Sequence, residues 1–569
     1  MAVFSKKSVL LVLAILLLAS IALRYPLVEH ERQQTDSYYI HLLSRSISED
    51  DRAAWTFHPL SYFGYYPYSY PTGIPFLFAE LSSLTGLSVD VTILVCNMIF
   101  ALLFCLGAFL LARQFISRPE FALLAAFFTV LGARFVDTTY WDGSARGPLV
   151  VLMLLVVFVS YRASSARQNK LVGIALLLGA GCFAIHHMAV LLILFGLGYA
   201  LAFIQSQYLL PRVRVQRTAM AIAFNSLIAT IVLVVAFGIF EFFGKLALMN
   251  LQKSALFDVD PPFLSVLLNM AVSYTNQIGF ILVFAVLSVP LIFRGPRITT
   301  ESIFMVTLFL VFIPLLGDML YVSMLLAPFA SIMGAKWFID SFSKKKKNFL
   351  VLSVLVVLMA SSILLPVWST QRWNSREYLS GDTVEVGNDV FNDASYLGFY
   401  YEDEFAVSNV NALTSVMSAY TDVHFMAPGI PSALSGDVNR SELQENITQS
   451  KSPFPMNLYA WYEHNEERYV EYFRWALMVG GARHATSDSI SPVYREYFST
   501  HQKMIVVIDN SWRDQYIDVY VISAAIFPLE VRSAELQASS QTSVECEPLP
   551  SYVLYQSERT SLFAVELPI

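Results

Sequence analysis

Eleven apolar runs, most of them close to the length of a bilayer-crossing helix, succeed one another along this chain of 569 residues. A crossing helix needs about 20 apolar residues, with about 17 as the practical lower bound. The runs fall at 8–23, 89–112, 120–136, 147–161, 171–184, 188–206, 218–243, 274–293, 301–316, 319–339 and 348–367. The stretch 73–87 is also apolar, but it is short and contains Pro75 and Glu80, so it reads as an interfacial helix that does not cross. Hydrophobic residues make up 56% of the chain and charged residues 14%, against about 25% charged in an ordinary soluble domain. One large soluble enzyme is therefore excluded. A net charge of −7 leaves no basic stripe for nucleic acid. Cys96, Cys105, Cys182 and Cys546 are too scattered for a metal cluster or a disulfide framework.

Charge asymmetry sets the expected orientation. With the N-terminus cytoplasmic, the inner loops carry Lys6, Lys7, Arg113, Arg118, Arg162, Arg167, Lys170, Arg212, Arg214, Arg217, Arg294, Arg297, Lys336 and Lys344 to Lys347, beside only Glu120, Glu301 and Asp340. Excess Lys and Arg mark the cytoplasmic side. Eleven crossings then put the C-terminus outside, in a multi-pass protein of the cell membrane. The first run also has the basic start of a signal peptide, but it reads as a retained anchor.

The chain thus divides into a membrane part, 1–367, which includes a Tyr-rich external loop at 24–88, and an extracytoplasmic soluble part, 368–569. In the second part, EFAVSNVNALTSVMSAYTDVHFMAPG reads as strand, helix and short strand, and KMIVVIDN and QYIDVYVISA alternate like strands. A small α/β domain is expected there. Its sequons, Asn439-Arg440-Ser441 and Asn446-Ile447-Thr448, fall on the external side. No internal repeat is visible, which weighs against an inverted-repeat transporter.

Candidate chemistry gathers on the external face. The first loop holds Asp36, Tyr38, Tyr39, His41 and Arg45 at helical spacing. One reading is an amphipathic surface helix capped by Asp36. The other is a site. The second loop, GARFVDTTYWDGSARG, packs Arg134, Asp137, Trp141, Asp142 and Arg146 into thirteen residues. Two acids flanked by two arginines suit a solvated turn held by salt bridges, or a place where a metal and a phosphate meet: carboxylates favour Mg²⁺ or Mn²⁺, and Arg makes forked contact with phosphate. His186 and His187 lie at an outer helix end, where adjacent side chains point in different directions. Asp318 lies at another outer helix end and fits a cap. Asp258 and Asp260, before Pro261 and Pro262, sit in a loop long enough to act as a lid. No Gly-rich phosphate loop, HExxH, GxSxG or CxxC occurs.

Together these residues resemble the GT-C superfamily of membrane glycosyltransferases, in particular archaeal relatives of the oligosaccharyltransferase catalytic subunit. TDSYYIHLLSR is similar to that family's first-loop motif, and Asp137 and Asp142 follow the third crossing, where the family places its second acidic motif. The soluble external C-terminal part is similar as well. The chain also departs from the family. Its second-loop acids are five apart rather than two, AWYEHNEERY replaces the Trp-Trp-Asp-Tyr-Gly signature, and GDMLYVSMLLAPF has no Arg where relatives often carry one.

The resemblance implies a polytopic α-helical membrane bundle of about eleven crossings with a C-terminal extracytoplasmic α/β domain. It implies transfer of a sugar or glycan from a polyprenyl (dolichyl) phosphate or diphosphate carrier to an acceptor on the outer face, by an inverting displacement. Asp36 would be the catalytic base. Asp36, Asp137 and Asp142 would hold a divalent cation, Mg or Mn. Arg134, Arg146, His186 and His187 would meet the donor phosphate, and Tyr38, Tyr39, His41 and Trp141 would line the substrate path. Partners would be the lipid-linked donor, membrane lipid and an acceptor of unspecified class, with no nucleotide or redox cofactor. The competing classes are a transporter or lipid flippase, which would place ionisable residues near the bilayer midplane, and a non-catalytic scaffold.

Overall fold

The computed structural model describes residues 5–26, 35–50, 56–57, 65–66, 73–132, 135–136, 138–166, 168–209, 223–232, 278–293, 298–315 and 320–342. Towards the C-terminus it describes 379–380, 383–384, 388–401, 405–408, 416–417, 419–421, 423–426, 503–509, 551–556 and 560–566, with single positions at 353, 357, 360 and 364. The chain forms two compact units. One comprises residues 1–32, 71–74 and 90–376, the other 33–70, 75–89 and 377–569.

The first unit is helical. Its helices are α1 (Lys6–Ala22), α4 (Val89–Phe115), α5 (Pro119–Val130), α6 (Arg146–Ala166), α7 (Asn169–Ile185), α8 (Leu191–Ile204), α9 (Ala223–Val232), α10 (Ile281–Phe293), α11 (Thr300–Leu315) and α12 (Leu320–Phe342). Two further helices, α2 (Thr35–Asp50) and α3 (Gly73–Thr85), lie in sequence between α1 and α4. Among the described residues, four stretches are long and apolar enough to cross a membrane: Val89–Phe115, Arg146–Ser164, Met188–Tyr208 and Val322–Ile339. Helices satisfy their backbone groups internally, the only open-ended solution in hydrocarbon. The α12 window is 83% buried against 44% for that of α4, so α12 is the most enclosed of these four. Helices α5, α10 and α11 pack on it, and Phe104, Leu149, Phe195, Phe309 and Phe329 share one apolar core.

Most expected runs correspond to helices within a few residues. The run at 120–136 differs: α5 ends at Val130, capped by Leu131, and the carbonyl of Gly132 then accepts from the amides of Phe135 and Val136. Of the run at 218–243 only 223–232 is described, and that at 348–367 lies outside the described residues apart from the single positions above. The expected interfacial helix at 73–87 corresponds to α3.

In the second unit, β1 (Thr56–Phe57) pairs with β2 (Tyr65–Tyr66), and β3 (Leu379–Ser380) with β4 (Thr383–Val384). The main sheet comprises β5 (Phe405–Ser408), β6 (His424–Met426), β7 (Lys503–Asp509), β8 (Ser551–Gln556) and β9 (Thr560–Glu566), in the order β6-β5-β7-β9-β8. Strand β5 is parallel to both β6 and β7, whereas β9 is antiparallel to β7 and β8. The helix α13 (Asn388–Tyr400) packs on β9. The strands read from EFAVS, VHFM and KMIVVID are those of the sheet. The strand read from QYIDVYVISA lies outside the described residues.

Candidate functional site

The described residues between α5 and α6 do not form a solvated turn. Thr138, Thr139, Tyr140, Trp141, Asp142, Ser144 and Ala145 are all buried. Ser144 ends the segment as a helix cap, its Oγ accepting from the Arg146 amide at 3.2 Å. Trp141 takes a left-handed backbone conformation, φ 48°, which costs a non-glycine residue of order 1 kcal/mol and persists only when its surroundings enforce it. Two bonds to α4 enforce it: Trp141 Nε1 donates to the Asp90 carbonyl at 2.8 Å, and Asn97 Nδ2 donates to the Asp142 carbonyl at 2.8 Å. On the other side, Thr138 Oγ1 lies 3.4 Å from Met324 Sδ on α12. Gly147 is required by the same packing, because a Cβ there would stand 2.5 Å from Thr139 Cγ2.

Sequence reasoning missed Arg24. It lies two residues past α1 and is fully buried. Its Nε donates to Thr139 Oγ1 at 2.7 Å, its Nη1 donates to the Ser20 carbonyl at 2.8 Å, and its guanidinium sits 5.1 Å from the Phe135 ring centroid. Burial lowers its pKa to about 9, so it is still charged at neutral pH. The available signal was a cation at the expected outer end of a crossing, against the usual charge bias.

The remaining candidates divide between the two units. His186 is buried at the end of α7, and its Nδ1 accepts from the Met188 amide at 3.0 Å. That bond leaves any ring proton on Nε2. In the other unit, α2 carries Asp36 in its first turn. Tyr38, expected along a substrate path, is 2% exposed and belongs to a core with Val390, Phe391, Ile505, Val507 and Leu562. The His41 ring lies edge-on to Tyr420 at 4.8 Å between centroids. Arg45 closes the helix onto the same core, donating from Nη1 to the carbonyls of Ala419 and Thr421, each at 3.1 Å. The side chains of Asp36, Tyr39 and His187 lie outside the described residues, as do Arg134, Asp137, Asp258, Asp260 and Asp318.

A divalent cation takes oxygen donors of the kind Asp142 offers. Among the described residues there is no group of three His, Cys, Asp or Glu that could hold a metal. Asp142 alone is one ligand and not a centre.

No protein-family model and no curated protein sequence matches this chain. Solved structures do. The apo oligosaccharyltransferase of Archaeoglobus fulgidus aligns at a TM-score of 0.53 and 12% identity, over 79% of this chain and 68% of that one. The same protein with Zn and sulfate aligns at 0.51 and 12%, over 88% and 68%. Archaeal oligosaccharyltransferase AglB from the same organism, with an inhibitory peptide and a dolichol-phosphate, aligns at 0.50 and 12%, over 91% and 71%. The chain therefore has the fold of these oligosaccharyltransferases, which is the architecture that the resemblance implied.

Proposed function

We propose that this chain is a membrane glycosyltransferase that moves a sugar from a polyprenyl phosphate or diphosphate carrier to an acceptor on the extracytoplasmic face. The observation that carries the reading is the burial of the Asp142 segment in a fold shared with a protein solved with dolichol-phosphate. A carboxylate withdrawn from water costs stability unless a partner or a function holds it, and a solvated turn would leave it exposed. The proposal keeps the eleven crossings, a cytoplasmic N-terminus, a boundary near 367 and an extracytoplasmic α/β domain.

In the single displacement proposed, the acceptor oxygen or nitrogen attacks the anomeric carbon from the face opposite the carrier. The new bond forms as the bond from that carbon to the phosphate oxygen breaks, and the phosphate leaves with the electron pair. Asp36 takes the acceptor proton or orients the acceptor for attack. Arg134 and Arg146 neutralise the phosphate, the largest electrostatic task of the step, with His186 Nε2–H and His187 as further donors. Tyr39 and Trp141 offer apolar faces to the sugar. A divalent cation on Asp36, Asp137 and Asp142, when bound, would add positive charge there.

The test is Asp36→Asn at normal membrane abundance, assayed for transfer from a lipid-linked donor. The expected loss is about 10²–10⁴-fold, the usual contribution of a positioned proton acceptor. Full retained activity would remove Asp36 from the mechanism and return the scaffold or flippase readings. EDTA treatment checks the ion: transfer should fall and recover with Mg²⁺ or Mn²⁺, and indifference to EDTA would leave the second-loop acids a structural task.

A further inference from the structure

We propose that Arg24 is a positioning residue that latches the acidic segment between α5 and α6. The activity arm of this inference rests on the transferase reading above; the structural arm does not.

A guanidinium just past a helix end normally extends its long stem and keeps its head in water. Arg24 turns inward instead and is fully buried. Withdrawing a cation from water is costly without an opposing charge. Among the described residues Arg24 has no carboxylate partner, and its Nη2 has no hydrogen-bond partner at all. An apolar side chain would fill the same space at lower cost, so the charge and its directional donors need another reason to be there. What Arg24 touches supplies one. Its own helix offers only Ser20, while Thr139 and Phe135 belong to the segment that leads to Asp137 and Asp142.

The latch is directional at both ends. The Thr139 hydroxyl has one proton, which it donates to the Phe135 carbonyl at 2.5 Å, so the oxygen must face its donor, Arg24 Nε, with a lone pair. Thr139 is two residues from Asp137 and three from Asp142. The Trp141 backbone between them is held in a strained conformation, which only neighbouring restraints maintain. Releasing Thr139 removes one of them, and displacing a catalytic segment by about 1 Å can cost roughly 100-fold in rate.

The experiment uses the full chain in detergent micelles, with Arg24→Gln, Thr139→Val, Thr139→Ser and the double variant Arg24→Gln/Thr139→Val. Arg24→Gln and Thr139→Val should each speed amide hydrogen exchange over residues 138–145 by about tenfold or more, with α4 and α12 unchanged, as a local rather than global opening requires. Transfer should lose kcat by about tenfold or more while the donor KM stays within about twofold. Thr139→Ser, which keeps the hydroxyl, should restore both readouts, and the double variant should lose no more than either single, since both break one contact. Exchange over 138–145 unchanged in Arg24→Gln would overturn the latch, as would additive losses in the double variant. Should Arg24→Gln fail to accumulate, the contrast between Thr139→Val and Thr139→Ser decides alone. Should the wild-type chain transfer nothing from any lipid-linked donor, the function reading fails, and the exchange measurements still decide the latch.

Discussion

The helix that carries Asp36 and the segment that carries Asp142 follow the first and third apolar runs, yet they take their order from different cores. Helix α2 belongs to the sheet-containing unit: Tyr38 is buried among residues of α13, β7 and β9, and Arg45 is clamped to two carbonyls beyond α13. The 138–145 segment belongs to the helical unit, tied to α4 through Trp141 and Asn97 and to the end of α1 through Arg24. The first is held mainly by apolar burial of an amphipathic helix face, the second mainly by directional hydrogen bonds on an irregular backbone. The two segments are thus ordered by different kinds of force, each within its own unit, and should respond differently to substitution.

The largest expected effect tests the apolar side of that contrast. Tyr38→Ala removes a ring that is 2% exposed, and truncating a buried aromatic costs about 3–5 kcal/mol. Limited proteolysis should release fragments from the sheet-containing unit while the helical unit keeps its resistance. Loss of the helical unit instead would break the comparison. Gly147→Ala tests the other side, because its Cβ would stand 2.5 Å from Thr139 Cγ2. Overpacking of this kind costs about 1–3 kcal/mol, and hydrogen exchange should quicken over 138–145 and nowhere in the sheet. Trp141→Phe is the mildest. It removes one donor to the Asp90 carbonyl, worth about 1 kcal/mol, and a thermal midpoint lowered by more than a few degrees would mean that the indole does more than hold this bond.

Part of this was legible in the chain itself. Strands at EFAVS, VHFM and KMIVVID announced themselves by alternation between turn residues, and the helices by the length of their apolar runs. The end of α5 was not legible, since apolar residues continue past Val130 through Leu131, Ala133, Phe135 and Val136, and the bonds from the Phe135 and Val136 amides to the Gly132 carbonyl are seen only in the structure. At the site, Asp142 and Trp141 were legible as residue types in an acidic loop, but their burial was not: the composition of GARFVDTTYWDGSARG fits an exposed turn equally well. Tyr38 and His41 read as residues of a surface helix or of a substrate path, and only the structure shows Tyr38 in the core of the sheet-containing unit and the His41 ring edge-on to Tyr420.

What the sequence settled by itself was a membrane protein with helices built from apolar runs, because hydropathy averages over about 20 neighbouring residues and needs no knowledge of distant partners. The tertiary structure alone decided which polar residues leave water. Arg24 finds Thr139 across 115 positions and Arg45 finds Thr421 across 376. Buried polar groups are as a rule hydrogen-bonded, and for the buried Arg24 Nε and the half-buried Arg45 folding brings the partner from a distant part of the chain.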